Sequence, residues 1–311
     1  MASYTKTALN ITEQLALWQA RGLSVSDTDY AEHYLTMIGY YRLSAYSLPF
    51  QRSNSSTESD HQFKPETQFE DILNLYVFDR ELRLLLLDAI ERIEVSLRSH
   101  MGNYMAIKYG PHWYMDESHF TRTYAHKALL ADIEQHCKRK KELFVKHYVD
   151  KYDSPKLPPS WIVMELLTFG QLSTVYDHMA NAADQKAIAR LFGTQAELLR
   201  SWLQTLSYIR NVCAHHSRLW NRELGNSPKV PKKTPENWVR VPIEVADANV
   251  RPNVRLYLVL VIIEFMLKNI NPESTWHQRL LSLMQDHEKV SKPHMGMPDD
   301  WFNDAFWQLN K

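Results

Sequence analysis

Apolar residues recur every three or four positions along most of this chain, a spacing that predicts helices nearly throughout. The longest run starts at Phe69 and carries Ile72, Leu75, Leu82, Leu85, Leu86, Ala89, Ile90, Ile93 and Leu97. It predicts one long helix ending near Gly102 or Gly110. Glu91, Arg92, Glu94 and Arg98 interleave with this stripe, as charges paired four residues apart on a wet face do. Arg98 and His100 are also placed to face a cleft. Ahead of this helix, Asn10-Ile-Thr-Glu13 reads as a capping box opening a helix toward Arg21 and Gly22. Asp27 reads as the cap of a second helix through Tyr34 and Leu35. The tyrosine-rich segment 39–46 runs into a breaker at Pro49, and the polar stretch 53–60 predicts a mobile surface loop.

Beyond the long helix, residues 125–149 predict one or two amphipathic helices, and the proline-rich stretch 153–159 is the best candidate for an internal boundary. Helices resume at 161–167, after Gly170, at 184–192 and from Ala196. In the last of these Leu198, Leu199, Trp202, Leu206 and Ile209 form the buried stripe. A long irregular loop is expected from 225 to about 242, and within 225–252 Val239, Val241 and Ile243 alternate and allow a short hairpin. Helices at 254–270 and 273–288 come after it, and Trp301, Phe302, Phe306 and Trp307 dock the tail. The expectation is an all-α protein with an N-terminal helical appendage over 1–60, including the mobile loop. The main helical domain covers 61–311 and ends in C-terminal helices.

Composition sharpens this in three ways. Only 8 glycines against 11 methionines, with runs rich in Leu, Ala, Glu and Arg, suit helices over sheets. Two cysteines, Cys137 and Cys213, without a CxxC partner, predict a reduced, cytoplasmic setting. The first residues lack the layout of a signal peptide, and the apolar stretch 256–267 carries Glu264 and is too short to span a bilayer. No membrane partner is expected.

The formal net charge is zero, but its distribution is uneven. Residues 201–255 hold nine Lys and Arg against four acids, a local excess of five positive charges. That concentration suits an anionic partner. The run Lys138-Arg139-Lys140-Lys141 reads equally well as a solvated helix end.

Inside the basic region lies the most polar cluster of the chain, Arg210-Asn211-Val-Cys-Ala-His215-His216-Ser-Arg218-Leu-Trp220-Asn221-Arg222, directly after a strongly apolar helical pattern. Charged and unpaired polar groups near a core lose solvation, so such a cluster calls for a use. Histidine serves proton transfer because its unperturbed pKa, about 6.5, lies near neutrality. Arginine stays charged and offers a planar fork to phosphate oxygens. Together they suit metal-free RNA cleavage, with Arg210, His215 and Asn211 as the catalytic candidates. On an ideal helix Arg210 and His215 stand about 140° apart. Either they flank a cleft from two sides, or the helix ends near Ala214 and the histidine swings on a turn.

Around them, His216, Arg218 and Arg222 are RNA-binding candidates. A supporting role for His216, and ion pairs of the two arginines with Glu223 or other acids, compete with that reading. Tyr41 and Arg42, beside Tyr40 and Tyr46, combine aromatic faces with a cation, as single-stranded RNA binding requires; a tyrosine-rich helix contact is the commoner use. Trp220 reads as core. No HExxH motif, spaced acid–histidine set, phosphate-binding loop or dinucleotide turn is present, so neither a metal nor another cofactor is expected.

Arg210-x4-His215 with Asn211 resembles the signature of the HEPN superfamily, most of whose members are metal-independent ribonucleases. The full string RNVCAHHSRLWNR resembles the Abi-like (abortive infection, AbiD/AbiF type) family of bacterial phage-defence proteins. So do EQLALWQARGLSVSD near the start, GYYRLSAYSLPF, LLDAIERIEVSLRSHM and, near the end, GMPDDWFNDAFW. The resemblance thus covers nearly the whole chain and implies a HEPN-like helical bundle that forms a homodimer with two motifs face to face. It also implies phage defence, toxin–antitoxin behaviour and association with a structured noncoding RNA. The competing expectation is a noncatalytic RNA-binding protein that holds such an RNA.

Overall fold

The computed structural model describes residues 3, 7–52, 61–232, 238–239 and 254–308. Among these the chain is all-α: thirteen α-helices, short 3₁₀ turns, and only isolated bridges in place of strands. The expected loop at 53–60, and Val241 and Ile243 of the expected hairpin, lie outside the described residues.

The chain divides into two compact units, Met1–Leu82 with Leu283–Val290, and Arg83–Ser282 with Ser291–Lys311. The appendage expected over 1–60 falls wholly within the first. There, α1 (Ile11–Ala20) opens with the capping box read from its sequence, Asn10 and Glu13 each accepting the other's backbone N–H. The side chain of Asp27 caps α2 (Thr28–Ile38), which outruns its predicted end by three residues and stops at Gly39. After α3 (Tyr40–Ser47), Pro49 sits in a 3₁₀ turn. Trp18 centres this unit's core, its ring 5.0 Å from Tyr40 and 6.2 Å from both Phe63 and Phe69.

The long helix α4 (Phe69–Tyr109) has 41 residues and belongs to the first unit up to Leu82 and to the second from Arg83. It ends at Gly110, whose φ of +93° suits a residue without a side chain. Gly102 lies inside it. The second unit continues with α5 (His126–Arg139), α6 (Leu143–Lys151), α7 (Ser160–Leu166), α8 (Phe169–Asp177), α9 (Ala182–Leu191) and α10 (Ala196–Ala214). Next come α11 (Leu256–Ile270), α12 (Trp276–Asp286), whose last residues join the first unit, and α13 (Ala305–Gln308). Eleven of the fifteen residues of α11 are buried, Leu256–Ile263 without interruption, as in a helix surrounded by protein. No helix among the described residues is long and apolar enough to cross a membrane.

Helices α8, α9 and α10 are held in place by two side-chain arrangements of the second unit. Helix α8 runs antiparallel to α10: a Cβ at Gly170 would stand 3.3 Å from Ser207 Oγ, and at the other end Asp177 Oδ1 pairs with Arg200 Nε at 2.6 Å. The missing side chain at Gly170 sets how closely the two helices approach. Elsewhere, buried Asp184 of α9 accepts hydrogen bonds from Tyr104 (2.9 Å), Tyr109 (2.7 Å) and Lys108 (2.5 Å), tying α9 to the end of α4.

Candidate functional site

Helix α10 builds the candidate site. Its stripe of Leu199, Trp202, Leu206 and Ile209 is buried as the spacing predicts, while Leu198 is half-buried. Trp202 also donates its indole N–H to the Lys229 carbonyl at 2.9 Å, which pins the first residues of the loop beyond the helix. A helix so anchored carries Arg210, half-buried, and Asn211, exposed, into its last turn.

The turn that ends α10 settles the geometric alternative left by the sequence. Ala214 is its last residue, and His215 is the cap, with its N–H bonded to the Asn211 carbonyl at 3.0 Å. The next two N–H groups fold back: His216 to Cys213 and Ser217 to Val212, both at 3.0 Å. These two bonds define the reverse turn that usually places glycine where His216 stands. His216 has a φ of +55°, a left-handed conformation uncommon for a residue with a side chain. The His216 backbone closes the helix and turns the chain, and the His215 side chain is exposed beside the last turn. On the helix itself, Arg210 Nη1 donates to Asn211 Oδ1 at 3.2 Å, so these two neighbours orient each other.

The remaining candidates divide. Arg222 is held from two sides, Nε donating to the Arg218 carbonyl at 2.8 Å and Nη1 to the Tyr208 hydroxyl at 3.0 Å. Glu223, its suggested ion partner, pairs instead with Arg255 at 3.0 Å. Arg218 is half-buried in the same turn, and Trp220 is core, its indole N–H reaching the Ser291 carbonyl at 3.3 Å. Arg98 does not contribute: its guanidinium pairs with Glu94 and caps the carbonyls of Met164 and Leu167 at the end of α7. Tyr41 and Arg42 belong to the first unit, on α3, where Tyr41 is 92% exposed. Tyr46 is buried and donates to Asp79. The structure thus gathers six of the eight candidates at the end of α10.

Two residues that support this turn carry little or no mark in the sequence. Arg83 of α4, 4% exposed, extends Nη1 to the Ser217 carbonyl at 3.4 Å. Its only signal is a cation in register with Leu86 and Ile90 of an apolar stripe. Tyr208, which holds Arg222, has no such signal, because one tyrosine on a half-wet helix face is ordinary.

Among the described residues no group of three or more His, Cys, Asp or Glu side chains is placed to hold a metal. No curated protein and no solved structure matches the chain. A family model described as "Abi-like protein" does, over residues 33–221. The matched span takes in α3, α4 and α10 and stops at Asn221, just past the terminal turn; the resembling blocks near the two chain ends fall outside it. It covers well over half of the 311 residues, and the chain belongs to the Abi-like protein family.

Proposed function

We propose that this protein is a metal-independent endoribonuclease of the HEPN type, acting in abortive infection against phage and controlled by a noncoding RNA. The observation that carries the reading is the pairing of Arg210 with Asn211 in the last turn of α10 and the exposed His215 at its cap. A helix end with a cation, an amide and an imidazole facing water is suited to a phosphodiester: charge for the phosphorane, and a group that carries a proton.

One chain supplies one His215, whereas in-line cleavage of RNA needs a base and an acid. A homodimer with facing motifs supplies both. One His215 takes the 2′-hydroxyl proton as the 2′-oxygen attacks phosphorus. The partner's His215 donates a proton to the departing 5′-oxygen. Arg210 stabilises the charge on the non-bridging oxygens. The products are a 2′,3′-cyclic phosphate and a 5′-hydroxyl end.

The test is cleavage of RNA by the purified chain in EDTA, with analysis of the 3′ ends. Cleavage that persists and leaves cyclic phosphate is the expected result. Loss of cleavage in EDTA, or a 3′-hydroxyl product, would refute the mechanism. Growth arrest by an Arg210→Ala, His215→Ala double variant equal to that of the parent would mean that the protein holds RNA without cutting it.

A further inference from the structure

We infer that a single-stranded RNA lies along the exposed stripe of α10, with its phosphates seated in a basic groove at the helix's other end. This deepens the proposed function and rests on it. The groove, about 470 Å³, opens where α9 hands over to α10 and is lined by Lys186, Arg190, Thr194, Gln195, Glu197 and Arg200, with Ala196. It continues past Arg200 into a second hollow of about 350 Å³ beside Ser201, Gln204 and Lys229.

Charge in the groove is unequally spent. Arg200 is paired with Asp177, and Lys229 with Glu197. Lys186 and Arg190, four residues apart on one face of α9, are exposed, and among the described residues neither pairs with an acid. The surplus is two positive charges facing the groove. Two neutral features add to them. The Gln195 side chain does not cap α10, so among the described residues the N–H groups of its first turn are open to an anion, and the Thr194 hydroxyl oxygen is buried with no hydrogen-bond partner there.

Helix geometry sets the direction. Residues 197, 200, 204, 208 and 211 are spaced three and four apart, so they form one stripe along α10 that points to His215 at its cap. All are exposed or half-buried. The stripe leads from Arg200 past the Tyr208 ring to Asn211 and His215. At 1.5 Å per residue, Arg200 to Asn211 is roughly 16 Å, a length of a few nucleotides. An extended strand entering at the groove therefore meets, in order, cations, an aromatic face and the candidate cleavage site. Single strands are bound by this combination of a basic track and stacking surfaces.

The experiment measures binding of a labelled single-stranded RNA of mixed sequence to the full chain carrying His215→Ala, across a salt series. Replacing Lys186→Gln and Arg190→Gln together should weaken binding roughly tenfold. It should also reduce the slope of log affinity against log salt by about 1.4, at roughly 0.7 per lost phosphate contact to a single strand. A double replacement of equal charge elsewhere, Lys138→Gln with Lys141→Gln, should leave the slope in place. Unchanged affinity and slope in the first variant, or equal losses in both, overturns the inference and leaves the proposed function standing. Failure of the parent chain to bind RNA at all overturns both.

Discussion

Two polar clusters of the second unit resolve their charge in opposite ways. Around Asp184, two tyrosines and a lysine converge on a carboxylate that is 1% exposed. Burial opposes its ionisation, but the hydrogen bonds from Lys108, Tyr109 and Tyr104 outweigh it and hold the carboxyl below its ordinary range. Every strong group there is consumed by another. At the end of α10, Arg210 meets only its neighbour Asn211 among the described residues, and His215 is exposed. The first cluster stabilises a helix junction. The second leaves its chemistry available, and that openness distinguishes a candidate site from a structural hub.

The sharpest way to test this contrast is to remove one residue from each cluster. His215→Ala should lower RNA cleavage by about 10²–10⁴, the range for a positioned proton-transfer group, while the melting temperature stays put. A large fall in melting temperature would show that His215 is structural and remove the contrast. Asp184→Ala should do the reverse, destabilising the chain by about 3 kcal/mol because three donors lose their acceptor. Denaturant unfolding reads this directly, and a change near zero would mean that water replaces the carboxylate without loss.

A second buried acid gives an intermediate case. Glu264 of α11 lies among apolar residues, its Oε1 3.1 Å from His277 Nδ1 but not aligned for a hydrogen bond, and 3.8 Å from Lys268 Nζ. Burial pushes it up from 4.5 to about 7, against the pull of Lys268. The unfolded carboxyl ionises first as pH rises, so the stability tied to the bound proton is full below about 4.5 and lost as pH rises through about 7. His277, held down by burial and by the charge of Lys268, contributes the opposite trend on the acid side. Comparing Glu264→Gln with the parent isolates the carboxyl. The variant's relative stability should grow between these two pH values toward about 3 kcal/mol. A difference independent of pH would place Glu264 in contact with water.

The smallest effect concerns the turn itself. His216→Gly should stabilise the chain by up to about 1 kcal/mol, since glycine adopts positive φ without strain. A β-branched replacement, His216→Val, should destabilise it. If glycine destabilises instead, the His216 ring contributes more than its backbone conformation.

Much of this was legible along the chain. The caps Asn10 and Asp27, the stripe of α10, the start of α4 and the burial of α11 follow from residue type and period, because caps and amphipathic faces are local properties within one or two turns. The string from Arg210 to Arg222 marked the candidate site by its density of polar groups. Even the choice between two geometries for His215 was posed correctly, since a drift of about 140° is a property of any α-helix.

Tertiary structure decided which of those polar groups remain available. Arg222 is occupied by a hydroxyl 14 residues away, Arg98 by carbonyls 66 and 69 residues away, and the terminal turn of α10 rests on Arg83, 134 residues distant. A guanidinium has the same donors whether it caps a helix end or meets a phosphate, so its sequence neighbourhood holds no record of the choice. The physical reason is range. Helix periodicity and capping are written within a few residues, whereas the partner that satisfies a charge is set by which helices pack together.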